Sequence, residues 1–359
     1  MASLYGRHYT RQELLERIGD ISQIAGVKKV RLADGSEEGV EAYLFKTGSG
    51  LSFTALASRG MDISSADWCG RSLAWMSATG AVAPQFYEEA GLGWLRSFYG
   101  GLLVTCGLTY VGAPTADQGR QLGLHGRASN IPARNVSHDT DWQGDDYIMW
   151  VRGKVRESAV YGENVVLTRK ISARLGEDTL WISDTVVNEG HETTPHMLLY
   201  HINGGFPALD DGSVLISPTR SVTPRDADAE VEQEIYYRFG PPVAGFRERV
   251  YYHDMAAEPD GTVTAALVNR SIAGGFGFYV KYNKNELPVF TEWKMNAPGT
   301  YVVGVEPGNC HVEGRASERE RGTLQMLEPG EKRNYALEIG VLTSEEAIAD
   351  LEARVGRIK

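Results

Sequence analysis

Cysteine is scarce: the 359 residues include only Cys69, Cys106 and Cys310, far apart and odd in number. That argues against a disulfide framework and fits thiols kept reduced. Long apolar runs are also missing. No stretch approaches the roughly 20 apolar residues of a membrane helix, and the opening MASLYGRHYTRQELLERIGD has no apolar core of the secretory kind. A cytoplasmic protein without a membrane partner is therefore expected. Positive charge is in deficit, with 36 Lys and Arg against 47 Asp and Glu, a formal charge of −11. A field of that sign disfavours broad binding to nucleic acid or anionic lipid. The chain has no Gly-x-x-x-x-Gly-Lys-Ser/Thr loop, no Gly-x-Gly-x-x-Gly after a strand, no Cys-x-x-Cys, no His-Glu-x-x-His and no Gly-x-Ser-x-Gly. Phosphate-loop, dinucleotide, common zinc and nucleophile-elbow chemistries lose their usual signatures.

A hydrophobic fraction of 42% with 23% charged residues is that of a globular protein. Helix signals are few and peripheral. Thr10-x-x-Glu13 is a capping-box pattern followed by Leu14, Leu15, Ile18 and Ile21, with Gly26 as a stop. Thr343-x-x-Glu346 precedes Ile348, Leu351 and Val355, and the acidic stretch Asp226 to Phe239 is a weaker candidate. The rest reads as strands. Val165 to Leu175 and Leu180 to Val187 flank the turn Gly176-Glu177-Asp178, and five β-rich runs follow between Gly261 and Val341. With no helices alternating between them, these runs predict an all-β, antiparallel sandwich and not a parallel βαβ sheet. Without repeats or linkers, the expected organisation is a helical N-terminal extension, residues 1–26, and one β-sandwich domain, residues 27–359.

Candidate chemistry centres on histidines and carboxylates. His125 lies between glycines in Gly123-Leu-His-Gly-Arg127, where backbone can approach a ligand and Arg127 adds a cation; the alternative is a loop histidine packed in a turn. His201 and Asn203 share a strand face after Met197-Leu-Leu-Tyr200. Two polar side chains there are costly to bury without partners. Glu306 ends the run Tyr301–Val305, where desolvation makes a carboxylate a better base near neutrality. Glu292, beside Trp293 and Lys294, is a further candidate, and both carboxylates could instead be paired edge residues. Trp68, Trp75 and Trp94 near Arg59, Arg71 and Arg96 would suit a sugar, although aromatics serve β cores as readily.

Taken together, Arg59-Gly-Met-Asp-Ile63, Thr105-Cys-Gly-Leu108, Gly123-Leu-His-Gly-Arg127, Tyr200-His-Ile-Asn203, Val305-Glu-Pro307 and Leu327-Glu-Pro-Gly-Glu331 are in an order that resembles the aldose 1-epimerase (galactose mutarotase-like) superfamily. The resemblance is to a branch of epimerase-related proteins of unsettled function and covers roughly residues 40 to 342. It implies a large antiparallel β-supersandwich with a few peripheral helices. By position it implies that His125 orients a sugar, His201 protonates the ring oxygen and Glu306 takes the anomeric proton. Arg59, Asp62, Arg127, Asn203, Glu292 and Lys294 are the expected substrate contacts. The chain departs from true mutarotases after His201, with Ile-Asn-Gly-Gly for a Tyr-Phe-Asn type run. It departs again after Glu306, with Pro-Gly-Asn for a Gln-containing stretch.

The implied reaction is mutarotation of a monosaccharide or modified sugar by acid–base ring opening and reclosure, with no cofactor or metal. The expected partner is a small carbohydrate, and a homodimer is compatible with the sequence. One alternative is a metal-assisted sugar lyase or isomerase using His201, Glu292, Glu306 and His311. Another is a non-catalytic carbohydrate-binding protein on the same scaffold.

Overall fold

Residues 1–358 are described by a computed structural model in which every pairing between strands is antiparallel except for one isolated bridge. The largest sheet has eight strands, in the order Arg134–Gln143, Asp146–Ser158, Asn164–Arg174, Thr179–Asn188, Lys332–Leu342, Phe276–Asn283, Thr262–Asn269 and Val214–Ile216. A six-stranded sheet runs Thr219–Pro224, Arg249–Met255, Val289–Ala297, Thr300–Gly308, Met197–Gly204 and Val104–Leu108. A five-stranded sheet runs from Gly26 to Ser72. The fold is the all-β antiparallel sandwich expected from the sequence.

Alternation along each strand builds the core. In the eight-stranded sheet Leu167, Ile171, Ile182, Leu337 and Ile339 face inward and are fully or nearly fully buried. Each such side chain contributes about 1.5–3 kcal/mol over leaving it exposed. From the six-stranded sheet Leu198, Tyr200, Ile202, Phe290, Val303 and Val305 enter the same core. The alternate residues Met197 and Leu199 pack instead with Val104, Trp94 and Phe98 in a second cluster. This sheet is therefore covered on both faces, and its outer face carries the candidate site.

A buried polar network ties the two large sheets together. Arg169 lies 2.8 Å from Asp62 and 2.6 Å from Asp184, and the Tyr200 hydroxyl donates to Asp184 at 2.7 Å. Thr105 donates to Asp62 through both its amide and its hydroxyl. Breaking one partner of such a network leaves an uncompensated buried charge, at a cost of about 3–5 kcal/mol.

The N-terminal residues are less helical than expected. A hairpin of Ala2–Leu4 and Arg7–Tyr9 comes first, then a helix of only Arg11–Leu15. The Thr10–Glu13 capping box forms, but the next ordered turn, Ile21–Gln23, is capped anew by Asp20. Leu4, Leu14 and Ile24 are buried in the main core, so this stretch packs against the sandwich. The acidic stretch after Asp226 forms two short pieces, Ala227–Glu230 and Gln233–Ile235. At the far end helix Glu345–Gly356 is capped by Ser344, one residue later than the spacing suggested, and buries Ile348 and Val355. No helix among the described residues is long and apolar enough to cross a membrane.

Candidate functional site

Strands of the six-stranded sheet and the loops beside them converge on a cavity of about 780 Å³ above its outer face. Strand Met197–Gly204 presents His201, strand Thr300–Gly308 presents Glu306, and strand Val289–Ala297 presents Thr291 and Trp293. His125 enters from the loop after Gly123, in a left-handed conformation (φ +56°). Its amide donates to the Gly112 carbonyl at 2.9 Å, and its carbonyl accepts from Gly107 at 3.1 Å. The loop is thus pinned to the end of strand Val104–Leu108.

His201 Nε2 lies 3.1 Å from Glu306 Oε1, and both side chains are almost wholly buried. Neither His201 Nδ1 nor Glu306 Oε1 has a hydrogen-bond partner within the protein. Burial is the main influence on both. It raises the Glu306 carboxyl well above the usual carboxylate range, an effect that Glu248 strengthens and Arg225 opposes. It pushes His201 down to about 3, with His125 adding to the fall and Asn203 opposing it. His125, also desolvated, falls to about 4. Both shifts favour the uncharged forms, a protonated carboxyl beside a neutral imidazole.

Aromatic rings wall this pair. Phe98 and Trp293 both lie 5.3 Å from the His201 ring, edge-on, and the His125 ring is 5.8 Å away at 88°. Trp94 stacks on Phe98 at 4.5 Å, and Trp75 completes the wall. Trp293 Nε1 donates to Glu248 Oε2 at 3.0 Å, and Arg225 donates to Glu248 Oε1 at 3.0 Å and to Asp226 at 2.8 Å. The arrangement can exchange a proton between two atoms of a ligand while apolar faces hold its ring.

The histidines and Glu306 come together as the sequence suggested; most of the expected substrate contacts do not. Arg59 is buried and spends its donors on the carbonyls of Ser129, Val82 and Ser97. Asp62 belongs to the Arg169 network, where burial pushes its carboxyl up to about 6 against the pull of that guanidinium. Glu292 and Lys294 point to the opposite side of their strand from Trp293, because successive strand residues alternate faces. Glu292 meets His253 at 3.2 Å, and Lys294 binds Glu232 at 3.1 Å and the Arg238 carbonyl at 2.6 Å. Arg127 lies 3.6 Å from Glu89, outside the cavity wall. Asn203 is buried behind His201 and donates to the carbonyls of Gly101 and His201, so it supports the strand.

The four residues considered as metal ligands are also separated. His201 and Glu306 share the cavity, Glu292 faces the other way, and His311 pairs with Glu318 at 3.0 Å. No group of three or more His, Cys, Asp or Glu among the described residues is arranged to hold a metal ion. Of the three tryptophans, Trp75 and Trp94 reach the cavity, while Trp68 donates to Asp178 elsewhere. Sequence reasoning missed Phe98, Thr291, Arg225 and Glu248. Trp293 was visible only as a neighbour of Glu292, and strand parity was the signal that would have promoted it.

A family model described as a domain of unknown function, DUF4432, matches residues 37–341. No curated protein matches the chain significantly. Among solved structures, the chain is similar to a Klebsiella pneumoniae protein provisionally assigned as an aldose 1-epimerase, at 27% identity and a TM-score of 0.88. That alignment covers 92% of this chain and 87% of the other. The galactose 1-epimerase of Lactobacillus acidophilus aligns at 13% identity and a TM-score of 0.60, covering 89% and 100% of the two chains. A galactose mutarotase-like protein from Clostridium acetobutylicum aligns at 12% and 0.59, covering 89% and 99%. These last two likenesses show the fold. The chain belongs to the DUF4432 family of unknown function, and it shares the β-sandwich of aldose 1-epimerase and galactose mutarotase-like proteins.

Proposed function

We propose that the protein is an aldose 1-epimerase-like isomerase that opens and recloses the hemiacetal ring of a small sugar. The observation that carries this reading is the 3.1 Å approach of His201 Nε2 to Glu306 Oε1 in the wall of an aromatic-lined cavity. Ring opening removes a proton from the anomeric oxygen and adds one to the ring oxygen. Both oxygens are bonded to C1, so the two proton-handling atoms must stand close together, as these do.

The single proton of the pair sets the order of events. A neutral imidazole beside a carboxylic acid holds as many protons as an imidazolium beside a carboxylate. Transfer from Glu306 to His201 therefore needs no exchange with solvent. Sugar hydroxyls that hydrogen-bond to the new carboxylate favour that transfer. Glu306 then takes the anomeric proton while His201 delivers its own to the ring oxygen. Rotation about C1–C2 and reclosure with the roles reversed gives the other anomer. Each positioned acid or base contributes typically 10²–10⁴-fold. His125 has a neutral ring in the same wall and orients a sugar hydroxyl.

The test is polarimetry of freshly dissolved aldoses with wild type, His201→Asn and Glu306→Gln. Wild type speeds the approach to anomeric equilibrium, and each variant loses at least 10²-fold in rate with an unchanged circular dichroism spectrum. Activity retained in either variant would remove that residue's role. Absence of acceleration across a broad panel would remove the assignment.

A further inference from the structure

The cavity is larger and more apolar than a plain hexose requires. At about 780 Å³ it has the space of about 26 water molecules at ~30 Å³ each. A hexose, about a dozen heavy atoms, fills less than half of that even if each atom displaces a whole water. Polar groups are gathered around the His201–Glu306 pair: Thr291 is the cross-strand partner of Glu306, and Glu248 bonds to both Trp293 and Arg225. Ser77, Thr79 and Thr300 add hydroxyls elsewhere, and one side of the wall is apolar, built by Leu92, Trp94, Leu95, Ala113, Leu124 and Val312. Leu92 and Leu95 line the cavity yet are 60% and 48% exposed, two large apolar side chains left without cover.

The wall offers an anion no cation whose charge is not already offset by carboxylates. Arg225 is its single Lys or Arg among the described residues, and two of its donors are taken by Asp226 and Glu248. Arg59 is spent on backbone carbonyls, Arg96 lies 3.2 Å from Glu88, and Arg127 pairs with Glu89. A phosphate or carboxylate on the sugar would enter beside Glu248 with no unpaired cation to meet it, and like charges in a partly desolvated space repel.

We propose that the substrate is an uncharged aldose bearing an apolar O-alkyl or O-acyl substituent remote from the anomeric carbon. The ring lies against His201 and Glu306, and the substituent covers Leu92 and Leu95. This deepens the epimerase reading and rests on it for the position of C1. The experiment compares glucose and galactose with their 6-O-butyl ethers and 6-phosphates. Turnover is followed by polarimetry, and binding is measured separately by tryptophan fluorescence, since Trp75, Trp94 and Trp293 line the cavity.

The ethers are expected to bind and turn over with constants at least tenfold more favourable than the parent sugars, and the phosphates at least tenfold less favourable. A Leu92→Ser/Leu95→Ser double variant is expected to bring ether and parent within threefold of each other. Equal or weaker binding of the ethers, or a preference for the phosphates, overturns the proposal. If the ethers bind tenfold more tightly and nothing is turned over, the epimerase reading fails while the ligand class stands.

Discussion

Gly304→Ala is expected to stabilise the protein slightly while disabling it. Gly304 precedes Glu306 by two residues on the same strand and therefore shares its face. It pairs with Trp293 on one side and Asn203 on the other, so three site-facing or site-supporting residues surround it. A Cβ at this position would collide with Glu306 Oε1 and lie 3.1 Å from Trp293 Cβ. The carboxyl must therefore leave its present position, 3.1 Å from His201. A displacement of about 1 Å of a reacting group costs on the order of 10²-fold in rate, or about 2.7 kcal/mol in the barrier. The backbone at Gly304 is not in the left-handed region, so Ala meets no conformational penalty. Replacing an interior strand glycine by Ala otherwise gains roughly 0.5–1 kcal/mol. Polarimetric rate and thermal unfolding, measured on one preparation, should thus move in opposite directions. A rate within threefold of wild type would refute the placement of Glu306 as a proton-handling group. A loss of rate accompanied by a large fall in Tm would reduce Gly304 to a packing position.

Burial moves both limbs of the pH profile outward. His201 takes up a second proton only near its depressed value of about 3, and the pair loses its proton only above the raised value of Glu306. The acid limb of kcat/KM is therefore expected well below the ordinary imidazole value of about 6.5 and the basic limb above the ordinary carboxylate range; an acid limb near 6.5 would contradict this. A carboxyl whose folded value is raised favours the native state below its ordinary pKa and loses that contribution as pH rises through the folded value. Glu306→Gln, which cannot ionise, should therefore unfold at a higher temperature than wild type, by a margin that widens with pH; a margin that narrows would reverse the sign. Glu292→Gln keeps a partner for His253 on the far side of the sheet from the cavity and is expected to retain turnover within threefold. A tenfold loss would return Glu292 to the site.

The strands could be read from sequence wherever a single face is apolar, since period-two alternation is local information. Val165 to Leu175 and Leu180 to Val187 are observed as the paired strands Asn164–Arg174 and Thr179–Asn188. The six-stranded sheet is covered on both faces, so its strands present few unambiguous alternations. In Val289–Ala297, Thr291 and Trp293 face the cavity while Phe290, Glu292 and Lys294 face inward. Reading Glu292 and Lys294 as ligand contacts followed their charge, but two ionic side chains two residues apart on a buried face have each found a partner there. The hairpin Arg134–Gln143 and Asp146–Ser158 was not anticipated: its edge strand is largely exposed with no apolar face to announce it, although Asp146–Ser158 alternates and buries Tyr147, Met149, Val151 and Val155. Arg59 shows the limit more sharply. Its motif placed a cation near the expected site, yet its three acceptors come from segments 23 to 70 residues away in sequence. Whether a guanidinium is free for a ligand depends on which carbonyls the closed fold delivers to it, and no local pattern records that. The same reasoning explains why His201 and Glu306 could be picked out. Each ends an apolar run on a strand, so its desolvation was implied by its own neighbours before any long-range contact was known.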